Sequence, residues 1–235
     1  MGLKTAFLLS AGHGSRMGAY GKRLPKPLWP IFEMTQLEFH IWNLFELGIE
    51  KIFINTHHQA QKLQDVTAKY KKESVDLLYE KELLGSGGCF HNLKAKRELQ
   101  EVIVSLNVDV FYDLRCSDLE RGKYELSETG GRAFLFPVRV GEKTTYNRLV
   151  TSEGVLKDIR PPLETTGHLT YSGYGIIDMG KIEPSEEPSS FFKTVAPYEE
   201  EKILVDSILP VEAVEREYWD FGTLEEYFFG HKALL

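Results

Sequence analysis

A short apolar run, Thr5–Leu9, empties directly into a glycine-built stretch, Ser10-Ala11-Gly12-His13-Gly14-Ser15-Arg16-Met17-Gly18, and then into a segment punctuated by Pro25, Pro27 and Pro30. This arrangement constrains the chain more than any other feature. Apolar residues that stop at a glycine cluster read as a buried strand. Glycines just past the strand end let successive backbone N–H groups approach an anion closely. The prolines forbid a long helix, so the chain is expected to remain a loop for about twenty residues.

Two familiar phosphate loops do not fit. A Walker A loop needs a glycine, four residues and then Gly-Lys-Ser/Thr. Here Gly21-Lys22 is preceded at the required position by Arg16 and followed by Arg23. The spacing of Gly12, Gly14 and Gly18 resembles a dinucleotide-binding fingerprint, but that motif opens a helix at once. Gly21 and the prolines stand where such a helix belongs. The long loop carries Arg16, Lys22, Arg23 and Lys26. Lys26 sits on a backbone stiffened by proline on either side, which suits a cation that must meet a polyphosphate in one geometry. Lys22 and Arg23 read as solvated.

Beyond the loop, the chain alternates strands and helices. Thr35 and Glu38 form a capping box, and Leu37, Ile41, Leu44 and Phe45 mark one helical face that stops at Gly48. Strands follow at 51–55, Val75–Tyr79 and 102–106, with helices at 59–71 and 87–98. Such alternation predicts an α/β fold with a mainly parallel sheet flanked by helices. The second half is β-rich, with strands expected at 132–140, 148–151, 155–159 and 169–178. A loop at 183–190, a helix at 199–209 and a strand at 212–218 follow. Thr223 and Glu226 form a second capping box before a last helix. The economical division is one domain over residues 1–235, with halves of about 1–112 and 113–235.

Composition narrows the functional classes. The net charge of −7 disfavours non-specific binding to nucleic acid or to an anionic membrane. The sequence contains no apolar stretch of the roughly 18 residues that crossing a bilayer requires. Its two cysteines, Cys89 and Cys116, lack metal-ligand or redox spacing. Reduced thiols and a cytoplasmic location are expected.

Two aspartates invite a metal reading. Asp109 follows the strand at 102–106, at the carboxyl end where open α/β sheets gather ligands. Asp220 immediately precedes the last helix. Mg²⁺ takes oxygen ligands, often one or two carboxylates with water and phosphate. Taken singly, each aspartate serves equally well as a turn cap. Glu80 precedes Gly85-Ser86-Gly87-Gly88, whose glycines admit a flat base. A carboxylate suits the Watson–Crick edge of guanine, and an amide suits uracil or thymine better.

Together these segments resemble the sugar-1-phosphate nucleotidyltransferases. Leu9 through Met17 is similar to the family's L-A-A-G-x-G-x-R-M, and Pro25-Lys26-Pro27-Leu28 followed by Pro30 to its P-K-P-L-x-P. Asn107–Val110 is similar to N-G-D-V, Tyr218–Thr223 to W-V-D-V-G-T, and Glu80–Gly88 to the nucleotide-site segment E-x-x-L-G-T-G/A-G. Ser10, Val108 and the segment 18–24 depart from the family pattern.

The resemblance implies a Rossmann-like sheet of the nucleotide-diphospho-sugar transferase type, and joining of a nucleoside triphosphate to a sugar-1-phosphate. It implies that Arg16 and Lys26 act on the triphosphate and that Asp109 and Asp220 bind Mg²⁺. Leu9, Ala11, Gly12, Gly14, Glu80, Gly85, Ser86 and Gly87 would form the nucleotide site. Asn107, Tyr146, Asn147, Arg160, Ser172 and Gly173 would meet the sugar phosphate. A monomer or homodimer is expected, without nucleic-acid or membrane partners. A regulatory paralogue that binds nucleotide without turnover, and a nicotinamide oxidoreductase, are the competing readings. Base and sugar stay open.

Overall fold

The structure, a computed structural model, describes residues 2–12, 14, 18–142, 144–206 and 218–233. Its strands are β1 Thr5–Leu9, β2 Pro30–Ile31, β3 Met34–Thr35, β4 Lys51–Thr56, β5 Val75–Tyr79, β6 Val102–Asn107 and β7 Val110–Tyr112. They continue with β8 Ala133–Val140, β9 Arg148–Ser152, β10 Val155–Arg160, β11 His168–Asp178, β12 Ile203–Val205 and β13 Tyr218–Asp220. The helices are α1 Gly18–Arg23, α2 Gln36–Glu46, α3 Ala60–Thr67, α4 Gly85–Arg97, α5 Cys116–Thr129, α6 Phe191–Thr194 and α7 Leu224–Ala233.

Nine strands form one sheet in the order β5-β4-β1-β6-β11-β8-β12-β10-β9. The first four run parallel. Strand β11 lies antiparallel between β6 and β8, β12 runs parallel to β8, and β10 and β9 complete the far edge antiparallel. The expected mixed, mainly parallel α/β architecture is what forms.

Strand β1 shows how the sheet buries both faces, since successive side chains alternate across it. Ala6 and Leu8 join Leu37, Ile41 and Leu44 of α2, Leu63 of α3 and Leu119 and Leu126 of α5 in one apolar layer. Phe7 points the other way, into a layer with Cys89, Phe90 and Leu93 of α4 and Phe191 of α6. The Phe7 and Phe90 rings meet edge-on at 5.1 Å. Burying each such ring is worth about 1.5–3 kcal/mol relative to exposure.

The capping box at α2 is present, with the Thr35 side chain accepting from the Glu38 amide and Glu38 accepting from the Thr35 amide. Gly48, at φ +81°, turns the chain after that helix.

The structure corrects several expectations. Residues 18–23 form the short helix α1 where continuous loop was expected; the helix ends before Pro25, as proline requires. The helix predicted over 59–71 is confined to Ala60–Thr67. No helix runs through 199–206, because Ile203-Leu204-Val205 is a fully buried strand that completes the sheet beside β8. The later part of that predicted helix, and residues 212–217 of the predicted strand, lie outside the described residues.

Helix α5 went unpredicted because Gly122, in its interior, lowers the local helix propensity. The glycine lets the helix settle on the sheet, where an added Cβ would lie 2.4 Å from Ile176 Cδ1. Among the described residues, no helix is long and apolar enough to cross a membrane.

A third, smaller cluster shapes the site. Trp29, Ile31, Phe221 and Tyr227 pack together, with the Trp29 and Tyr227 rings edge-on at 4.9 Å. The Tyr227 hydroxyl donates to the Pro30 carbonyl at 2.6 Å. This cluster pins α7 and the end of β13 against the segment after Lys26, so residues far apart in the chain share one end of the sheet.

Candidate active site

Strands β4, β1 and β6 end side by side, and the glycine loop leaves from the middle one. Asn55, at the end of β4, holds the loop's first turn: its Oδ1 accepts from the Ser10 amide at 2.7 Å and the Ala11 amide at 3.2 Å. On the other side, the Val108 amide donates to the Leu9 carbonyl at 3.1 Å. Gly14 adopts φ +60°, a conformation that costs a side-chain-bearing residue more, and passes close to Gly21. Arg16 lies outside the described residues.

A 3₁₀ turn over Lys26–Leu28 follows, closed by the Leu28 amide on the Pro25 carbonyl at 2.9 Å and the Trp29 amide on the Lys26 carbonyl at 3.0 Å. The turn leaves the Lys26 side chain only 12% exposed, and its ammonium ion-pairs with Asp109.

Asp109 and Asp220 come together here. Strands β7 and β13 pair antiparallel with Asp220 opposite Val110, and the Phe221 amide donates to the Asp109 carbonyl at 2.8 Å. The Asp220 carboxylate accepts from the Gly222 amide and from the Tyr146 hydroxyl. Burial raises the Asp220 pKa, and repulsion from Asp109 adds to the rise; the Tyr146 hydrogen bond, along with Lys26, opposes it. Two carboxylates that repel each other beside a lysine counter-ion form a donor set suited to a hard divalent cation whose remaining ligands are water and phosphate. Among the described residues no group of three or more His, Cys, Asp or Glu side chains could hold a metal unaided.

The cleft beside this pair has a volume of about 390 Å³. Leu9, Ala11, Gly12, Gly14, Lys26, Asn55, Leu83, Gly85, Ser86, Asn107, Asp109 and Gly222 line it. Leu9, Ala11, Gly12, Gly14, Lys26, Gly85, Ser86, Asn107 and Asp109 were expected from sequence at this site. Asn55, Leu83 and Gly222 were not. Asn55 carries a signal that was available, since it ends a parallel strand adjacent to β1, where ligands collect.

Glu80 and Gly87 sit elsewhere than expected. Glu80 is 2% exposed and stands behind the cleft wall. It accepts from Asn55 Nδ2 at 2.8 Å and, more weakly, from the Leu84 amide at 3.4 Å. Burial raises its pKa, and the Asn55 hydrogen bond opposes that rise. Its carboxylate thus supports Asn55 and does not line the cleft. Gly87 packs on the 189–190 backbone, where an added Cβ would lie 2.1 Å from the Ser190 carbonyl oxygen. The Ser86 hydroxyl accepts from the Phe191 amide at 3.0 Å, tying the same two segments together.

The residues expected to meet the sugar phosphate are scattered. Asn107 lines the cleft, and Tyr146 reaches Asp220 with its hydroxyl. Asn147 is exposed, and Arg160 is exposed on β10, paired with Asp158 at 2.6 Å; neither lines the cleft. Ser172 and Gly173 form an irregularity in β11, with Ser172 only 1% exposed. There a Cβ on Gly173 would come within 2.9 Å of Asn107 Nδ2.

This geometry has a counterpart among known proteins. Residues 5–157 match the model of the family described as Nucleotidyl transferase, which is more than half of the chain, and the chain belongs to that family. Its relatives are sugar-1-phosphate nucleotidyltransferases. A mannose-1-phosphate guanyltransferase of Debaryomyces hansenii is 24% identical over 234 residues, covering 95% of this chain and 62% of that protein. A UTP–glucose-1-phosphate uridylyltransferase of Synechocystis sp. is 28% identical over 163 residues, 64% of this chain and 40% of its own length. The chain thus spans less than two thirds of the length of these curated relatives. Among solved structures, HddC from Yersinia pseudotuberculosis complexed with GMP-PN has the same fold. It superposes with a TM-score of 0.77 at 19% identity, covering 99% of this chain and all of that one.

Proposed function

We propose that this chain is a sugar-1-phosphate nucleotidyltransferase, converting a nucleoside triphosphate and a sugar-1-phosphate into a nucleotide sugar and pyrophosphate. The observation that carries the reading is the convergence of the glycine loop, Lys26, Asp109 and Asp220 at one end of the sheet. In the reaction an oxygen of the sugar phosphate forms a bond to the α-phosphorus. The bond from that phosphorus to the bridging oxygen breaks, and its electron pair leaves with pyrophosphate. The nucleophile is already anionic near pH 7, so no general base is needed.

The chain's task is to bring two polyanions together and hold them in line. The backbone amides of Gly12 and Gly14 face the triphosphate, and the Lys26 ammonium offsets its charge. Mg²⁺, when bound, supplies further neutralisation of the phosphates, and Asp109 and Asp220 are the residues that would hold it. Arg16 is assigned a role beside Lys26 on sequence resemblance. Residues 1–112 form the nucleotide half and 113–235 the acceptor half, with the pairing of β13 on β7 bringing Asp220 of the second half beside Asp109 of the first.

Glu80 is occupied with Asn55, so base selection rests on other cleft groups, and the substrates are to be found by assay. The names of the relatives suggest GTP or UTP with mannose 1-phosphate, D-glycero-α-D-manno-heptose 1-phosphate or glucose 1-phosphate as the first candidates. The test is a pyrophosphate-release matrix of common triphosphates against these acceptors, with and without Mg²⁺. Release that requires both substrates and stops on chelation is the expected result. A matrix with no release but with tight nucleotide binding would replace this reading by the regulatory one.

A further inference from the structure

Two backbone carbonyls flank Asp109, and a buried side chain from a different layer of the fold holds each of them. On one side His40 of α2, 2% exposed, places Nε2 3.1 Å from the Val108 carbonyl oxygen. A carbonyl only accepts, so the ring proton is on Nε2. Nδ1 then carries no proton and lies 3.4 Å from the Tyr174 hydroxyl oxygen. On the other side Tyr174 of β11, 1% exposed, donates that hydroxyl to the Val110 carbonyl at 3.1 Å.

The aim of Tyr174 comes from the irregularity just before it. The register of β11 on β8 shifts between Tyr171 and Tyr174, and Gly173 takes φ +90°. The Ser172 hydroxyl accepts from the Tyr174 amide at 3.1 Å. Such bulges re-aim side chains next to functional sites. A buried polar network is costly unless each member is matched, and this one spends two large side chains on three residues of backbone.

We propose that His40 and Tyr174 are positioning residues for the reaction: from beneath the site they fix the Val108–Val110 turn, and with it the Asp109 carboxylate. The proposal rests on the reading of Asp109 as a carboxylate that serves the metal and the triphosphate. It assigns the Ser172–Gly173 bulge to seating Tyr174 as well as to clearing space for Asn107.

The variants that test it are Tyr174→Phe, His40→Leu and His40→Gln. Phenylalanine removes one hydroxyl, leucine removes the Nε2 donor, and glutamine restores a donor near the same place. Two readouts are needed: amide hydrogen exchange over residues 107–112 in the ligand-free protein, and kcat against KM for the triphosphate in pyrophosphate release.

Tyr174→Phe and His40→Leu are expected to speed exchange in that peptide about tenfold while the rest of the sheet is unchanged. They are expected to lower kcat by about tenfold or more with KM for the triphosphate within about twofold. His40→Gln should recover most of both. A lower melting temperature with wild-type exchange at 107–112 and wild-type kcat would overturn the proposal, as would exchange raised evenly across the molecule. Should His40→Leu fail to fold, Tyr174→Phe decides alone. If the wild type itself releases no pyrophosphate with any substrate pair, the functional reading fails, while the exchange data still decide whether these two side chains hold the turn.

Discussion

His40 permits a titration experiment whose size follows from its surroundings. Burial pushes the imidazole pKa from its ordinary 6.5 down to about 4; the hydrogen bond to the Val108 carbonyl and the charge of Asp109 act in the opposite direction and do not prevail. The unfolded chain takes up a proton at this residue below pH 6.5, and the folded chain resists it until about pH 4. Between those values the unfolded state binds more protons. The contribution to stability is therefore complete above the unfolded pKa and is lost as pH falls toward the folded one. Integrating that difference gives a loss of about 2 kcal/mol between pH 7 and pH 5, and about 3 kcal/mol over the whole window. His40→Gln keeps a neutral donor and removes the titration. Urea unfolding of both proteins at half-unit steps from pH 7 to pH 5 cancels the shared carboxylate terms. The wild type should lose about 2 kcal/mol more than the variant over this range. Parallel curves, with a constant gap between the two proteins, would refute the reasoning.

Two further substitutions probe other parts of the account. Lys26→Met should lower pyrophosphate release by about a hundredfold or more, because a cation aimed at the reacting phosphates is lost; circular dichroism should report an unchanged fold. Gly87→Ala would drive a Cβ to 2.1 Å from the Ser190 carbonyl oxygen, so the backbone must move. A loss of about 1–3 kcal/mol or more in denaturant unfolding is expected.

How far the sequence reached depends on what kind of interaction sets each feature. Strand β1 and helix α2 were legible because a local pattern decides them: an apolar run stopped by glycine, and a capping box followed by a 3.6-residue stripe. Asp109, Lys26 and most of the cleft were legible because short motifs place backbone and charge within a few residues of each other. Strand β12 was hidden because three apolar residues next to the acidic run 199–201 resemble a helix until β8 is there to pair with them. Helix α5 was hidden because Gly122 weakens its local propensity and is explained only by its close approach to Ile176 and Phe134.

Glu80 shows the same limit at the site. Its type and position suggested a base contact, but whether a carboxylate faces the cleft or the amide behind it depends on Asn55, a residue 25 positions away. The roles of His40 and Tyr174 were likewise out of reach, since they depend on contacts between α2, β11 and the turn after β6.

The most direct measurement is a crystal structure of the protein with Mn²⁺ and a triphosphate that cannot be cleaved at the α-phosphorus, using anomalous scattering to locate the metal. The account predicts a peak between the Asp109 and Asp220 carboxylates, with the phosphates over the glycine loop and Lys26 turned from Asp109 toward them. A metal bound away from both aspartates, or phosphates seated in a different cleft, would contradict it.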